Sequence, residues 1–133
     1  MEPSVGRLKS YEDLVVWRKA MGLVIEVYRA TSQFPREEMY DLTSQLRRSA
    51  VSVPSNIAEG QGRATKGEFV QFLANARGSL YELKTQTLIA KELGFLSPEC
   101  QSRVTSQADE VGRMWNGLLT SLGGTNRKLT TRH

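Results

Sequence analysis

The feature that most constrains the fold is a helical pattern that contains a proline. It lies between Leu42 and Arg63, which read LTSQLRRSAVSVPSNIAEGQGR. The apolar residues recur every three or four positions, the spacing of one helix face, at Leu42, Leu46, Ala50, Val53 and Ile57. Pro54 has no N–H to bond the carbonyl of Ala50, which costs about 3 kcal/mol in an isolated helix. We therefore expect a kinked central helix that is held by its neighbours.

Small side chains surround the proline, at Ser49, Ala50, Ser52, Ser55 and Ala58. Residues of this size allow a second helix to approach closely, and serine hydroxyls can bond carbonyls that a kink frees. The sequence predicts both effects here.

Helical spacing also predicts a first helix, over about Tyr11 to Ser32. Ser10 and Asp13 resemble a capping box at its start. Its apolar stripe is Leu14, Trp17, Met21, Val24 and Tyr28. The second helix, which contains Pro54, is expected to begin near Glu37 or Glu38, since acidic residues suit a helix N-terminus, and to end at about Gln61.

A third helix is predicted to begin at the capping box formed by Thr65 and Glu68 and to end at Gly94. Its apolar face comprises Phe69, Phe72, Leu73, Ala76, Leu80, Leu83 and Thr87. Gly78 lies inside this helix, where glycine is unfavourable by about 1 kcal/mol relative to alanine. We therefore expect it to serve close packing.

Ser97 and Pro98 predict the start of a fourth helix, because proline is favoured at the first helical position. The apolar stripe of this helix is Val104, Ala108, Val111, Trp115, Leu118 and Leu122. Gly123 and Gly124 are expected to end it.

No segment alternates between apolar and polar residues for long enough to predict a strand. Four amphipathic helices with short connections predict an all-α protein, an antiparallel up-down-up-down four-helix bundle.

The chain divides into an N-terminal extension (1–10), the bundle (11–122) and a flexible basic tail (123–133). Apolar residues beyond one seam predict self-association, and they are Val15, Val16, Val27, Phe95, Leu96 and Leu119.

The residues required for common enzyme mechanisms are scarce. The only histidine is the last residue, His133, and the only cysteine is Cys100. No Gly-rich phosphate loop, GxSxG or HExxH motif occurs in the sequence. Glu59 and Glu82 could lie inside the bundle, although acids without a histidine partner are more often salt-bridged. We expect no catalytic residues, cofactor or metal.

No apolar run suits a membrane span or signal peptide, which favours a cytoplasmic protein.

Positive charge is concentrated in the centre and at the end of the chain. The net charge is +4, and the tail contributes Arg127, Lys128 and Arg132 without any acid. Between positions 42 and 81 the basic residues are Arg47, Arg48, Arg63, Lys66 and Arg77, against the acids Glu59 and Glu68. Arginine and lysine in such a patch can contact the backbone of RNA or DNA largely without regard to sequence.

Two interpretations of Arg47 and Arg48 remain open. They either form a network with Glu59, Glu82 or an acid of another subunit, or they contact phosphates, whose oxygens match the guanidinium fork. Arg63, Lys66 and Arg77 are expected to be exposed. Trp17 and Trp115 lie on predicted core stripes, where packing is favoured over base stacking.

Three segments of the chain resemble the bacterial family of 23S rRNA intervening-sequence proteins: YEDLVVWRKA, LTSQLRRSAVSVPSNIAEGQGR and EFVQFLANARGSLYELKTQTLIAKELGFLS. The similarity covers roughly Tyr11 to Leu122. It implies an antiparallel four-helix bundle that assembles as a homopentameric barrel, without established catalytic residues. It also implies kinship with the accessory variability determinant of diversity-generating retroelements, a basic pentamer that partners a reverse transcriptase and binds nucleic acid. This chain is less basic than those proteins.

The combined hypothesis is a non-enzymatic homo-oligomer, a pentamer, that binds RNA or DNA electrostatically, weakly or with the help of a partner such as a reverse transcriptase. Arg47, Arg48, Arg63, Lys66 and Arg77 would make the contacts, assisted by the basic residues of the tail. The alternative is a scaffold for protein interactions, in which the arginines serve subunit assembly.

Overall fold

The computed structural model describes residues 14–63 and 65–122. Over these two ranges the chain forms four α-helices and no strand: α1 (Val15–Thr31), α2 (Leu42–Gln61), α3 (Lys66–Glu92) and α4 (Pro98–Ser121). A short 3-10 helix, Arg36–Glu38, precedes α2. The principal contacts join α1 to α2, α2 to α3, α3 to α4, and α4 to α1. The all-α prediction is confirmed, and the arrangement is consistent with a four-helix bundle.

Helix α2 continues through Pro54 without interruption. All five residues of its predicted stripe are buried, and Ala50, Val53 and Ile57 are completely inaccessible to solvent. Pro54 is buried as well. Because proline removes a backbone hydrogen bond, this helix depends on the packing of its apolar face, as its sequence predicts.

The serines of α2 have a different role from the one predicted. Ser49 Oγ donates to Gln86 Oε1 on α3 at 2.9 Å, and Ser79 Oγ of α3 donates to Ser52 Oγ at 2.7 Å. The prediction that these hydroxyls bond carbonyls near the proline is wrong for Ser49 and Ser52, because both face α3. They form polar links between two helices that lie close together.

The approach of α2 to α3 is closest at Gly60. A Cβ atom at this position would lie 2.7 Å from Cδ1 of Phe69 and 2.9 Å from Cβ of Phe72. Carbon atoms essentially never pack at such distances. Gly60 therefore allows the contact that was expected of Gly78, for which the prediction is wrong, since a Cβ at Gly78 would meet no atom within 4 Å.

The ends of α3 and the start of α4 follow the predicted capping chemistry. Thr65 Oγ1 accepts a hydrogen bond from the backbone N–H of Glu68 at 3.1 Å, and Ser97 Oγ accepts one from Cys100 at 3.1 Å. Gly94 has a φ of +82°, which glycine adopts without the steric cost of a side chain. This turn lets the N–H of Phe95 bond the carbonyl of Ala90 at 2.9 Å, closing a Schellman motif.

The starts of the first two helices differ from the prediction. Helix α2 begins at Leu42 rather than at Glu37 or Glu38, because those acids belong to the separate 3-10 turn and Asp41 has non-helical φ and ψ angles of −127° and −104°. Helix α1 begins at Val15, with Leu14 as its N-cap. The proposed Ser10 and Asp13 cap, the N-terminal extension and the basic tail lie outside the described residues.

The core stripe of α1 also differs from the prediction. Met21 and Tyr28 are exposed and Trp17 is half-buried, while the buried residues are Val16, Ala20, Leu23, Val24, Val27 and Thr31. Apolar residues occupy most of the circumference of α1, so more than one stripe fits helical spacing. The six apolar residues that were expected to lie beyond one seam are mostly buried. Val15 is exposed and Phe95 is half-buried, whereas Val16, Val27, Leu96 and Leu119 are buried.

Replacement of Gly60 with alanine is expected to destabilise the protein. Overpacking against Phe69 and Phe72 costs about 1–3 kcal/mol, which outweighs a gain in helix propensity of up to about 1 kcal/mol. Gly78→Ala is the matched control, and it should be neutral or stabilising because its Cβ meets open space. Urea denaturation of both variants measures the difference. Equal stability of the two variants would contradict the close approach at Gly60.

Candidate nucleic-acid interface

The five basic residues predicted to bind nucleic acid lie on three different parts of the surface. Arg47 and Arg48 line a groove between α1 and α2. Arg63 and Lys66 lie at the connection from α2 to α3, and Arg77 lines a groove between α3 and α4. Arg47 lies about 21 Å from the end of α2 at Gln61, beyond which Arg63 follows, since each helical residue adds about 1.5 Å. The fold does not bring these residues into one patch.

The α1–α2 groove has a volume of about 590 Å³. Helix α2 supplies two adjacent columns of side chains spaced four residues apart, an arrangement that places them on one face: Thr43, Arg47 and Val51, and Ser44, Arg48 and Ser52. Tyr28 from α1 and Met39 and Tyr40 from the α1–α2 connection complete the lining. The groove thus combines two guanidinium groups with two aromatic rings.

Arg47 is held in position by contacts with α1. Its Nε donates to Oγ1 of Thr31 at 2.8 Å, and its guanidinium lies 4.5 Å from the centre of the Tyr28 ring. Thr31 Oγ1 in turn donates to the carbonyl of Val27 at 2.8 Å. Since arginine has five N–H donors, these contacts orient the group and leave donors for a ligand.

Arg48 is exposed and has no hydrogen bond or ion pair within residues 14–63 and 65–122. It borders both the α1–α2 groove and a cleft between α2 and α3 that Glu82 also lines. The predicted network with Glu59 or Glu82 is wrong within one chain. Glu59 pairs instead with Arg63 at 3.0 Å. The reason is helical spacing, since Arg63 follows Glu59 by four residues.

Tyr40 is 96% exposed, an unusual environment for a large aromatic side chain. It follows Met39, which is also exposed, in the connection between the 3-10 helix and α2. Tyr28, Met39 and Tyr40 were not predicted as site residues from the sequence. Met39 and Tyr40 are two large apolar residues in a short connecting loop, and loops often carry binding residues. This pattern could have identified both of them from the sequence.

The apolar surface continues along α1 and α2 beyond this groove. Val51 also lines a second depression of about 290 Å³, together with Trp17, Met21 and Pro54. Trp17, which was predicted to lie on the core stripe, packs against the core but is only half-buried, so part of it belongs to this surface. This face of the bundle exposes a continuous strip of apolar side chains, which is typical of an interaction surface.

The other predicted contacts differ in accessibility. Arg63 and Lys66 are exposed, as expected, although Arg63 also lies 4.7 Å from the centre of the Phe72 ring. Arg77 is half-buried, contrary to expectation, because its position on α3 directs it towards α4. The predicted contacts Arg127, Lys128 and Arg132 lie outside the described residues.

The other residues considered for a functional role are Glu59, Glu82 and Trp115, and none of them lines the α1–α2 groove. Glu59 and Glu82 are exposed, so neither lies inside the bundle. Trp115 is 2% exposed and its Nε1 donates to the carbonyl of Leu73, which confirms a packing role.

Within the described ranges, no group of three or more His, Cys, Asp or Glu side chains could hold a metal ion. No helix in these ranges has both the length and the apolarity to cross a membrane.

A family model described as 23S rRNA-intervening sequence protein matches residues 12–117. The fold is similar to that of a crystal structure of a protein with unknown function from the S23 ribosomal protein family of Bacteroides thetaiotaomicron. That comparison has a TM-score of 0.70 and 16% sequence identity, and it covers 78% of this chain and 97% of the other. No curated protein matches the sequence.

The link between Thr31 and Arg47 is expected to contribute measurably to stability. Thr31→Val keeps the side-chain shape and removes the hydroxyl, and the loss of a buried hydrogen-bond partner costs about 1–3 kcal/mol. Thr85→Val is the matched control, because its hydroxyl makes a similar bond to a helix carbonyl but faces solvent. A double-mutant cycle with Arg47→Ala, measured by urea denaturation, should give a coupling energy of about 1 kcal/mol. Additive effects would show that Arg47 is not held by Thr31.

Proposed function

This chain belongs to the family of 23S rRNA-intervening sequence proteins, and we propose that it is a non-enzymatic, homo-oligomeric protein that binds RNA or DNA. The α1–α2 groove is the site at which the nucleic acid binds. The phosphates contact Arg47 and Arg48, and unpaired bases stack on Tyr40. Binding is weak in a single chain and is strengthened by oligomerisation or by a partner.

The observation that carries this proposal is the environment of Arg48 and Tyr40. Arg48 is exposed without a partner in the described residues, and a tyrosine exposed over 96% of its surface lines the same groove. Proteins that bind single strands combine cationic side chains along the backbone with aromatic rings on which bases stack. An acidic ligand also explains why Arg47 is oriented in advance by Thr31 and Tyr28.

The proposed oligomer is a pentamer of antiparallel up-down-up-down bundles. Exposed apolar residues on α1 and α3 support self-association, among them Ile25, Leu88 and Ile89. Five copies of a weak site gain avidity without new contacts if one nucleic acid reaches several of them. Arg63, Lys66 and the basic tail residues would extend the positive surface in such an assembly, whereas Arg77 lines the separate α3–α4 groove. A reverse transcriptase is the proposed partner, and the cytoplasm the proposed compartment.

The absence of catalysis is part of the proposal. Glu59 and Glu82, the acids considered as catalytic groups, are both exposed. General acid and base catalysis usually depends on carboxyl groups whose pKa is shifted by burial or by neighbouring charges. Solvent exposure of these two side chains therefore supports the proposal that neither is catalytic.

A protein-interaction scaffold is the second candidate. The apolar strip formed by Trp17, Met21 and Val51 supports it, because such strips commonly bind other proteins. In this interpretation the strip contacts another subunit or a partner protein, and Arg47 and Arg48 contribute to that contact.

Replacement of Arg48 or Tyr40 with alanine is expected to weaken binding of a mixed-sequence single-stranded oligonucleotide. Arg48→Ala should reduce the slope of log affinity against log salt by about 1, since one phosphate contact is lost. Tyr40→Ala should weaken binding by about 1–3 kcal/mol with little change in that slope. Fluorescence anisotropy across a salt series measures both effects, and Arg18→Ala, an exposed arginine outside the groove, is the control.

Light scattering of the same variants separates the two candidate functions. Nucleic-acid binding predicts that Arg48→Ala leaves the oligomer intact while affinity falls. A scaffold role predicts that Arg47→Ala or Arg48→Ala dissociates the oligomer before any change in nucleic-acid binding. Affinity that is flat between low and moderate salt would rule out the electrostatic mechanism.

A further inference from the structure

We propose that the groove between α3 and α4 is a separate binding site for a small phosphate monoester of about mononucleotide size. The groove has a volume of about 280 Å³, and its polar lining includes Arg77, Tyr81, Lys84, Asp109, Arg113 and Asn116. It is formed by different helices from the α1–α2 groove. The inference therefore does not depend on the nucleic-acid site proposed above.

Helical spacing explains why charged residues meet in this groove. Arg77, Tyr81 and Lys84 follow one another at intervals of four and three residues on α3, and Asp109 and Arg113 are four residues apart on α4, so each set shares a helix face. Lys84 Nζ lies 2.7 Å from Asp109 Oδ1. Three cations thus face one carboxylate, and their excess positive charge is focused by a concave surface. An anionic ligand is favoured by this arrangement.

Arg77 is oriented before any ligand binds. Its guanidinium lies 5.6 Å from the Trp115 ring centre and 5.4 Å from the Tyr81 ring centre, and Nη2 donates to the Tyr81 hydroxyl at 3.4 Å. Trp115 is itself fixed by its hydrogen bond to the carbonyl of Leu73. A side chain held in this way loses little entropy on binding, and the planar guanidinium matches two phosphate oxygens.

The dimensions of the groove restrict the ligand. Sites for small molecules usually have volumes of about 300–1,000 Å³, so this groove is at the lower limit. This volume suits a phosphate that carries one nucleoside, with the base as the attached ring. Tyr81 is 55% exposed and lines the groove, which provides an aromatic surface for the attached ring. A nucleoside monophosphate satisfies both requirements.

Gly112 provides a way to block the groove without disturbing the fold. It lines the groove on α4, and a Cβ atom there would meet nothing within 4 Å. Gly112→Leu should therefore fill the groove while raising helix propensity, since glycine is the less favourable residue by about 1 kcal/mol. Gly22→Leu is the matched control, because Gly22 is exposed on α1 and also faces open space.

Isothermal titration of the full chain with adenosine monophosphate, inorganic phosphate and adenosine tests the site. Adenosine monophosphate should bind most tightly, inorganic phosphate more weakly, and uncharged adenosine not detectably. Gly112→Leu should abolish binding of adenosine monophosphate without lowering the melting temperature, while Gly22→Leu should bind as the unmodified chain does. Equal binding by both leucine variants would overturn the proposal, as would equal affinity for adenosine and its monophosphate.

Two charge variants are expected to act in opposite directions. Arg113→Ala should weaken binding about tenfold, the effect of losing one charge-assisted contact, and it should not unfold the protein because Arg113 is exposed. Asp109→Asn should strengthen binding several-fold, because it removes the one carboxylate that lines the groove among the described residues and releases Lys84. Weaker binding after Asp109→Asn would overturn the proposal, because only an anionic ligand gains from the loss of that carboxylate.

The same variants distinguish this site from the nucleic-acid site. Gly112→Leu should leave oligonucleotide affinity unchanged, and Arg48→Ala should leave binding of adenosine monophosphate unchanged. If Gly112→Leu weakens the oligonucleotide and the monophosphate alone does not bind, the groove contacts a nucleic-acid backbone and the separate site is disproved. If adenosine monophosphate binds and the oligonucleotide does not, only the function proposed above is contradicted.

Discussion

The packing of α2 against α3 is the constraint on which the rest of the structure depends. Pro54 deprives α2 of a backbone hydrogen bond, and the helix nevertheless runs unbroken from Leu42 to Gln61. The compensating stabilisation comes from burial of its apolar face, from the close approach to α3 at Gly60 and from the side-chain hydrogen bonds of Ser49 and Ser52 with α3. The last two of these contacts require small residues on α2, namely Gly60, Ser49 and Ser52. The residues around the proline are therefore explained mainly by the distance between two helices.

Charges are distributed unequally around this central pair. Helix α4 is joined to α1 and α3 by three ion pairs: Lys19 with Glu110, Arg103 with Glu26, and Lys84 with Asp109. In the described residues the side of α2 that faces the α1–α2 groove has no such pairs, and it combines Arg48 with exposed apolar and aromatic residues. Partly exposed ion pairs contribute little to stability. Their main consequence here is that part of the charge between α4 and its neighbours is paired, although the α3–α4 groove keeps a net positive charge. On the other side of the protein, Arg48 remains available for binding in the α1–α2 groove.

Much of the fold could be predicted from local chemistry, and most of the errors concern contacts between helices. The two ends of α3 and the start of α4 follow from Thr65, Gly94 and Ser97, whose capping roles depend only on nearby backbone. The inward face of α1 and the direction of Arg77 depend on where neighbouring helices lie, which spacing along one helix does not determine. For the candidate site, Arg47 and Arg48 were identified by charge, but Tyr40 was missed because the exposure of an aromatic residue is a property of the folded chain.

The proline in α2 also has a consequence for the order in which the chain acquires structure. A helix that lacks a backbone bond and contains several serines has low stability alone, because short isolated helices are already marginal in water. Its stabilising partner, α3, ends only at Glu92. During synthesis, we therefore expect the segment from Leu42 to Gln61 to gain its full stability only once much of α3 has left the ribosome. Its contacts with α3, including the hydrogen bonds of Ser49 and Ser52, cannot form before then.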